Sequence, residues 1–503
     1  MHNANDKPPL LAELRLKYRN RFDAAAMLIY LCLVYLWALR VYPLGRDYAI
    51  LAGAGEGLPF LVRGLVAWEI RTFADSLVGY HLVNMALLYA SMLLIYAFTN
   101  YAVKGLWWMG TLAATLFMAN PVHTEAVLNL SGPVDLIPFL LALAALTAYA
   151  SHAYEPEPWK FVLALILFAF AALPYAANAY LILVLVLYEF LITDFENRNA
   201  SRLLPFALIA LIGLVRHWGT LAACGFSPAR MFGPLYFVFY PIGFLPETVE
   251  RFQAHPSFAW AAAACVVFIL FLIVRKARVN VILFGLLAMA AVRLYPGARP
   301  VDPVHLVGGG QLLLANVLFN VALVGLFLRI MTNVRWRVPM IGFTTALAVA
   351  FFAMQIRENC IWHAAGREVR AFQRQAAESA RAAGRPLAVC PDYAYRLGAP
   401  LCLSESIRYD TPFSSPLPAV SILPIHKAKS GDMDVWIDEW TGASATVTVT
   451  GARPREVMPW LFRPAAPPPA VSVELIEVTA DSFTLRITPN PGDTLPRTVV
   501  PPP

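Results

Sequence analysis

Apolar runs of helical length recur along the chain, near 24–42, 80–99, 105–119, 133–152, 160–174, 177–194, 203–217, 257–275, 279–295, 311–331 and 338–356. About eleven such runs, several near the lower limit for crossing roughly 30 Å of hydrocarbon, point to a mainly α fold, a polytopic membrane helix bundle. Composition agrees. Of 503 residues, 59% are hydrophobic and 14% charged, and the mean hydropathy is +0.59. A soluble core cannot consume that much apolar surface.

Basic residues in short loops mark the cytoplasmic side of a membrane protein. Lys7, Arg15, Lys17, Arg19 and Arg21 place segment 1–22 in the cytoplasm. Alternation then puts Lys104, Lys160, Arg198 with Arg202, the Arg275–Arg278 cluster, and Arg329 with Arg335 and Arg337 on that same side. A membrane domain over 23–356 follows, with an external loop at 43–79, and it delivers 357–503 to the external or periplasmic side. Segment 231–246, broken by Pro234, Pro241 and Pro246, reads as re-entrant, because a further span there would carry the Arg275 cluster outside. The first run has no small-residue cleavage site after it and is expected to stay as an anchor. The net charge of +7 resides mostly at cytoplasmic helix ends, so topology explains it and nucleic acid is excluded as a partner.

Within the external loop, residues 58–75 have helical apolar spacing with charges on another face, an amphipathic helix along the membrane surface. The tail opens with a charged helix from Arg357 to Ala383, stopped by Gly384-Arg385-Pro386. A small α+β external domain is expected beyond it, with strands at 387–389, 434–437, 445–450, 471–478 and 482–488. Cys390 and Cys402 flank a turn-rich stretch in this tail and form a disulfide candidate in an oxidising compartment. No Cys or His spacing suggests a metal site.

Polar residues concentrate between Gly79 and Leu140: Gly79-Tyr80-His81-Leu82-Val83-Asn84, then Asn120-Pro121-Val122-His123-Thr124-Glu125-Ala126-Val127, then Gly132-Pro133-Val134-Asp135-Leu136. Polar groups at the ends of membrane segments are costly, so a cluster of them suits ligand binding, transport or chemistry. The plainer reading is that they cap and fasten helices: His81 and Asn84, one turn apart, bonding a neighbour, and His123 and Glu125 closing a loop. Gly308–Gly310 lacks a following Lys-Ser/Thr and reads as a bend.

This motif block resembles the early membrane region of the C-type (GT-C) glycosyltransferase superfamily, in particular bacterial relatives of the transmembrane O-mannosyltransferases with tetratricopeptide repeats. No repeat array follows here. The resemblance implies an enzyme of a bacterial inner membrane that takes a sugar from a polyprenyl-phosphate donor and passes it to a protein or envelope glycan acceptor on the external face. It implies an acid in the first external loop as base, which points to Asp47, and cations for the donor phosphate, for which Arg63, Arg71, Arg216 and Arg293 are candidates. His81, His123, Glu125 and Asp135 are the remaining substrate-binding candidates. No firm cofactor follows, and a divalent cation at the loop acid stays open. Asp47 stands alone where relatives carry paired acids, and beside Arg46 it also reads as a solvated ion pair. The alternative function is a non-catalytic scaffold subunit that binds a membrane or periplasmic protein partner through its tail.

Overall fold

The computed structural model describes residues 19–44, 47–51, 58–104, 108–194, 198–224, 279–295, 309–331 and 334–383, and strands lying between 387 and 489. Its helices are α1 (Arg19–Tyr35), α2 (Asp47–Leu51), α3 (Phe60–Phe73), α4 (Leu77–Val103), α5 (Trp108–Ala119), α6 (Thr124–Leu128), α7 (Pro133–Tyr154) and α8 (Pro158–Ala172). They continue as α9 (Ala176–Ala179), α10 (Leu181–Leu191), α11 (Leu204–Arg216), α12 (Trp218–Cys224), α13 (Val279–Ala291), α14 (Leu313–Met331) and α15 (Val334–Ala383). Every expected apolar run within the described residues is helical. The run at 257–275, the segment 231–246, the Arg275–Arg278 cluster and Cys402 lie outside them.

Among the described residues, five helices are long and apolar enough to cross a membrane: Arg21–Arg40, Leu77–Val103, Pro133–Tyr154, Gly310–Met331 and Arg335–Ala371. The apolar helices Trp108–Ala119, Pro158–Ala172, Ala176–Leu191 and Asn280–Ala291 are shorter. The last apolar run and the charged segment after it form one continuous helix, α15, which ends at Ala383 just before Gly384.

The chain divides into two compact units. The first comprises Met1–Trp37, Leu82–Val127 and Pro133–Asn359. Small residues let its helices approach closely, as apolar bundles require. A Cβ on Gly285 of α13 would lie 2.6 Å from both the Leu318 carbonyl and Ala322 Cβ of α14. Gly213 of α11 plays the same part against the Ala172 carbonyl, at 2.8 Å. Phe206 receives the ring edges of Tyr149, Phe161 and Phe168 at 5.5, 5.6 and 5.3 Å. A buried acid in this unit is fully engaged: Glu189 accepts from the Tyr149 hydroxyl at 2.7 Å and the Asn199 amide at 2.6 Å.

The second unit comprises Ala38–His81, Leu128–Gly132 and Cys360–Pro503. Leu51, Tyr80 and Leu130 form its buried cluster, with Tyr42, Ile70, Phe73 and Leu77 packed against it. Burying each of the large side chains stabilises by about 1.5–3 kcal/mol. The tail end of α15 joins this cluster's neighbourhood: Gln373 meets the hydroxyls of Tyr42 and Tyr48, each at 3.4 Å, and the Arg370 guanidinium lies 5.5 Å from the Tyr42 ring centroid.

Beyond α15, the described strands include the five expected stretches and four further ones. They are β1 (Leu387–Pro391), β2 (Tyr395–Arg396), β3 (Ala399–Pro400), β4 (Ser421–Ile425), β5 (Lys429–Ser430), β6 (Met433–Trp440), β7 (Ala445–Thr450), β8 (Val471–Val478) and β9 (Ser482–Pro489). An antiparallel five-stranded sheet runs in the order β5-β6-β7-β9-β8, while β1 pairs with β4 in parallel. The period-two pattern of β7, β8 and β9 suits a half-buried sheet.

Candidate functional site

In the second unit Asp47 opens α2 and is fully buried. Its Oδ2 accepts from the Leu44 and Leu130 amides, both at 3.0 Å. Its Oδ1 accepts from the Ser131 amide at 2.8 Å and the Ser131 hydroxyl at 2.6 Å. The local reason is clear at each end. Leu44 stands three residues before Asp47, ahead of the helix, and its amide takes the acid as acceptor. Leu130 and Ser131 fall between the end of α6 and the start of α7, where backbone donors lack helical partners. Burial pushes the Asp47 carboxyl above its ordinary range, and these four donors offset only part of that rise. Arg46, its expected partner, lies outside the described residues, and Asp47 itself is buried in a bracket between two loops rather than solvated.

Helix α3 forms where residues 58–75 predicted it, and Val62, Val66 and Glu69 are its buried residues. At 100° per residue these three share one stripe. Arg63 and Arg71 are exposed. The charges were expected on a face apart from the apolar residues, and Glu69 departs from that expectation by turning inward. Neither of its carboxylate oxygens has a hydrogen-bond partner, and burial raises its pKa to about 8. The signal was present in the spacing 62, 66, 69, masked by the habit of assigning charged residues to water. In the same unit His81 Nε2 lies 2.9 Å from the Val41 carbonyl, a structural tie.

The first unit holds the other polar residues. Asn84 donates to the Val127 carbonyl at 3.1 Å. Asn120 begins a single 3-10 turn, Pro121–His123, where its side chain accepts from the Val122 amide at 3.1 Å. Its Nδ2 donates to Asn316 Oδ1 of α14 at 3.3 Å, and Asn320 Nδ2 donates to the same oxygen at 3.0 Å. His123 stacks on Phe117 with ring centroids 4.9 Å apart and planes 12° apart. Burial drives its pKa down to about 3, opposed only by the backbone of Met118, and the imidazole is neutral. Thr124, Gln355 and Asn359 form a second chain of bonds that ends on the Val34 carbonyl at 2.8 Å.

Glu125 is buried, and Asp135 of α7 faces Gly310, where a Cβ would lie 2.6 Å from its carboxylate. That close approach is what the glycine run provides. Arg216 is exposed at the end of α11, whereas Arg293 is buried just beyond α13. Among the described residues no group of three His, Cys, Asp or Glu is arranged to hold a metal ion. Asn316, Asn320, Ser131 and Glu69 carry much of this polar architecture, and sequence reasoning singled out none of them.

The chain is similar to the Protein O-mannosyl-transferase TMTC2 of Mus musculus. The two are 28% identical over 187 residues, which amount to 35% of this chain and 21% of that protein's length. No protein-family model matches the chain. The match spans about a fifth of that protein's length, and the membrane-length helices by themselves describe a multi-pass membrane protein.

Proposed function

We propose that the protein transfers a sugar from a polyprenyl-phosphate donor to a hydroxyl-bearing protein or envelope acceptor at the external face of a bacterial plasma membrane. In this reading the N-terminus is cytoplasmic and 357–503 forms an external α+β domain. The acceptor oxygen attacks the anomeric carbon, the bond from that carbon to the phosphate oxygen breaks, and polyprenyl phosphate leaves. The hydroxyl proton passes to a carboxylate of loop 43–79.

The observation that carries this reading is the contrast between the two buried acids of that loop. Asp47, the expected base, has lone pairs engaged by four donors, which oppose the rise that burial imposes and suit it to hold the Leu130–Ser131 turn in place. Glu69 has none, and a carboxyl poised near neutral pH is matched to accepting a proton. Arg63 and Arg71, exposed on the same helix as Glu69, are the proposed partners of the donor phosphate.

Reconstitution in liposomes with polyprenyl-phosphate mannose and a serine- and threonine-rich peptide tests the reading. Glu69→Gln is expected to lower transfer by about 10²-fold or more, the usual contribution of a positioned base. Transfer at the wild-type rate by that variant rejects Glu69 as base, and absence of transfer by the wild type with any polyprenyl-phosphate hexose rejects the enzyme. The saturated state of Asp47 also favours a second reading, a scaffold that has kept the fold and binds an envelope partner through its tail. Recovery of a stoichiometric partner with an inactive wild type would support it.

A further inference from the structure

Helix α14 is apolar along most of its length, yet it carries Asn316 and Asn320 one turn apart and both fully buried. The Val122 amide fixes how their amides are turned. Because that amide donates to Asn120 Oδ1, Asn120 presents its Nδ2 to α14, so Asn316 must present its oxygen, and Asn320 in turn its Nδ2. This leaves Asn316 Nδ2 and Asn320 Oδ1 without a hydrogen-bond partner in the protein. The ring nitrogens of His123, at the other end of Asn120's 3-10 turn, also make no well-formed hydrogen bond.

A polar atom buried without a partner costs about 1–3 kcal/mol. Helix fastening explains Asn316, which joins Asn120 to α14. It does not explain Asn320, whose donor shares an acceptor already taken and whose oxygen bonds nothing. The leftover atoms include one amide donor, one amide acceptor and a ring nitrogen of a neutral imidazole. No charge accompanies them in this set. An anion such as phosphate needs cations or converging backbone amides, whereas vicinal hydroxyls donate and accept at once and match a neutral set.

We propose that Asn316, Asn320 and His123 form a subsite for the hydroxyls of a sugar ring, the part of the donor that phosphate-binding arginines cannot read. The identity of the ligand rests on the glycosyltransferase reading, but the subsite is tested by binding alone.

The experiment uses the full-length protein in detergent, with the thermal unfolding midpoint as readout. The probes are polyprenyl phosphate and its mannosyl, glucosyl, galactosyl and N-acetylglucosaminyl derivatives. Wild type is expected to gain stabilisation from at least one sugar derivative beyond that from polyprenyl phosphate. Asn320→Leu is expected to unfold at or above the wild-type midpoint when unliganded, because it removes an unsatisfied polar atom. Its response to the sugar should correspond to about tenfold weaker binding or more, with the response to polyprenyl phosphate kept. His123→Phe, which preserves the stack on Phe117, should lose the sugar-dependent part in the same way. Three results overturn the proposal: an Asn320→Leu protein that is destabilised and binds sugar normally, sugar-dependent shifts retained in both variants, or a wild type that distinguishes none of the four derivatives from polyprenyl phosphate. A wild type that binds a sugar derivative and never transfers it overturns the enzyme reading and leaves the subsite standing.

Discussion

Ser131 turns both its amide and its hydroxyl onto Asp47 Oδ1, at 2.8 and 2.6 Å, across 84 residues of sequence. The bond couples the start of α2 to the turn that ends the polar motif block, and it does so with an acid taken wholly out of water. Ser131→Ala removes one of the four donors while leaving the backbone three. A hydrogen bond to a charged group contributes about 1.5–3 kcal/mol, so the variant should unfold that much more easily. Equal thermal midpoints for the two proteins would show that the hydroxyl adds nothing.

Glu69 makes a pH-dependent contribution whose sign follows from its raised pKa, about 8 against an ordinary 4.5. Between those values the native protein keeps a proton that the unfolded chain has lost. Stability from this group is therefore full below about pH 4.5 and declines as pH climbs toward 8. Unfolding midpoints of wild type and Glu69→Gln, compared at pH 5, 7 and 9, should diverge in favour of the variant as pH rises. Parallel curves would mean that Glu69 titrates normally.

Gly285 has no room for a side chain. Valine there meets the Leu318 carbonyl, which is backbone and cannot swing aside, so α13 must shift from α14. Overpacking of this kind costs about 1–3 kcal/mol. Gly285→Val should lower the unfolding midpoint in detergent, and a midpoint unchanged from wild type contradicts the close crossing.

The 2.6 Å ion pair of Lys104 with Asp194 should matter far less. Both side chains reach solvent, where an exposed pair contributes roughly 0–1 kcal/mol. Asp194→Asn is expected to leave stability within that margin. A larger loss would assign this pair a structural role.

Much of the helical layout was legible because hydropathy is local: a run such as 133–152 declares itself without knowledge of its neighbours, and Gly384 ends α15 where a glycine and proline should. The candidate site was legible in part. Asp47, His123 and Asp135 stand out by type and position. Glu69 did not, because a charge beside Arg63 and Arg71 reads as part of a solvated face until helical phase is followed residue by residue. Asn316 and Asn320 were hidden inside an apolar run, where two amides scarcely change the mean hydropathy.

The sequence by itself determined that this is a membrane protein of helices, since each apolar run must satisfy its own backbone within the bilayer whatever surrounds it. Tertiary structure decided which polar groups are satisfied. Asp47 meets Ser131 and Asn120 meets Asn316, 196 residues away, through contacts that no local pattern encodes. Hydrogen bonding depends on distance and angle in space, so only the folded chain separates the acid that is bound on every side from the one that is bound on none.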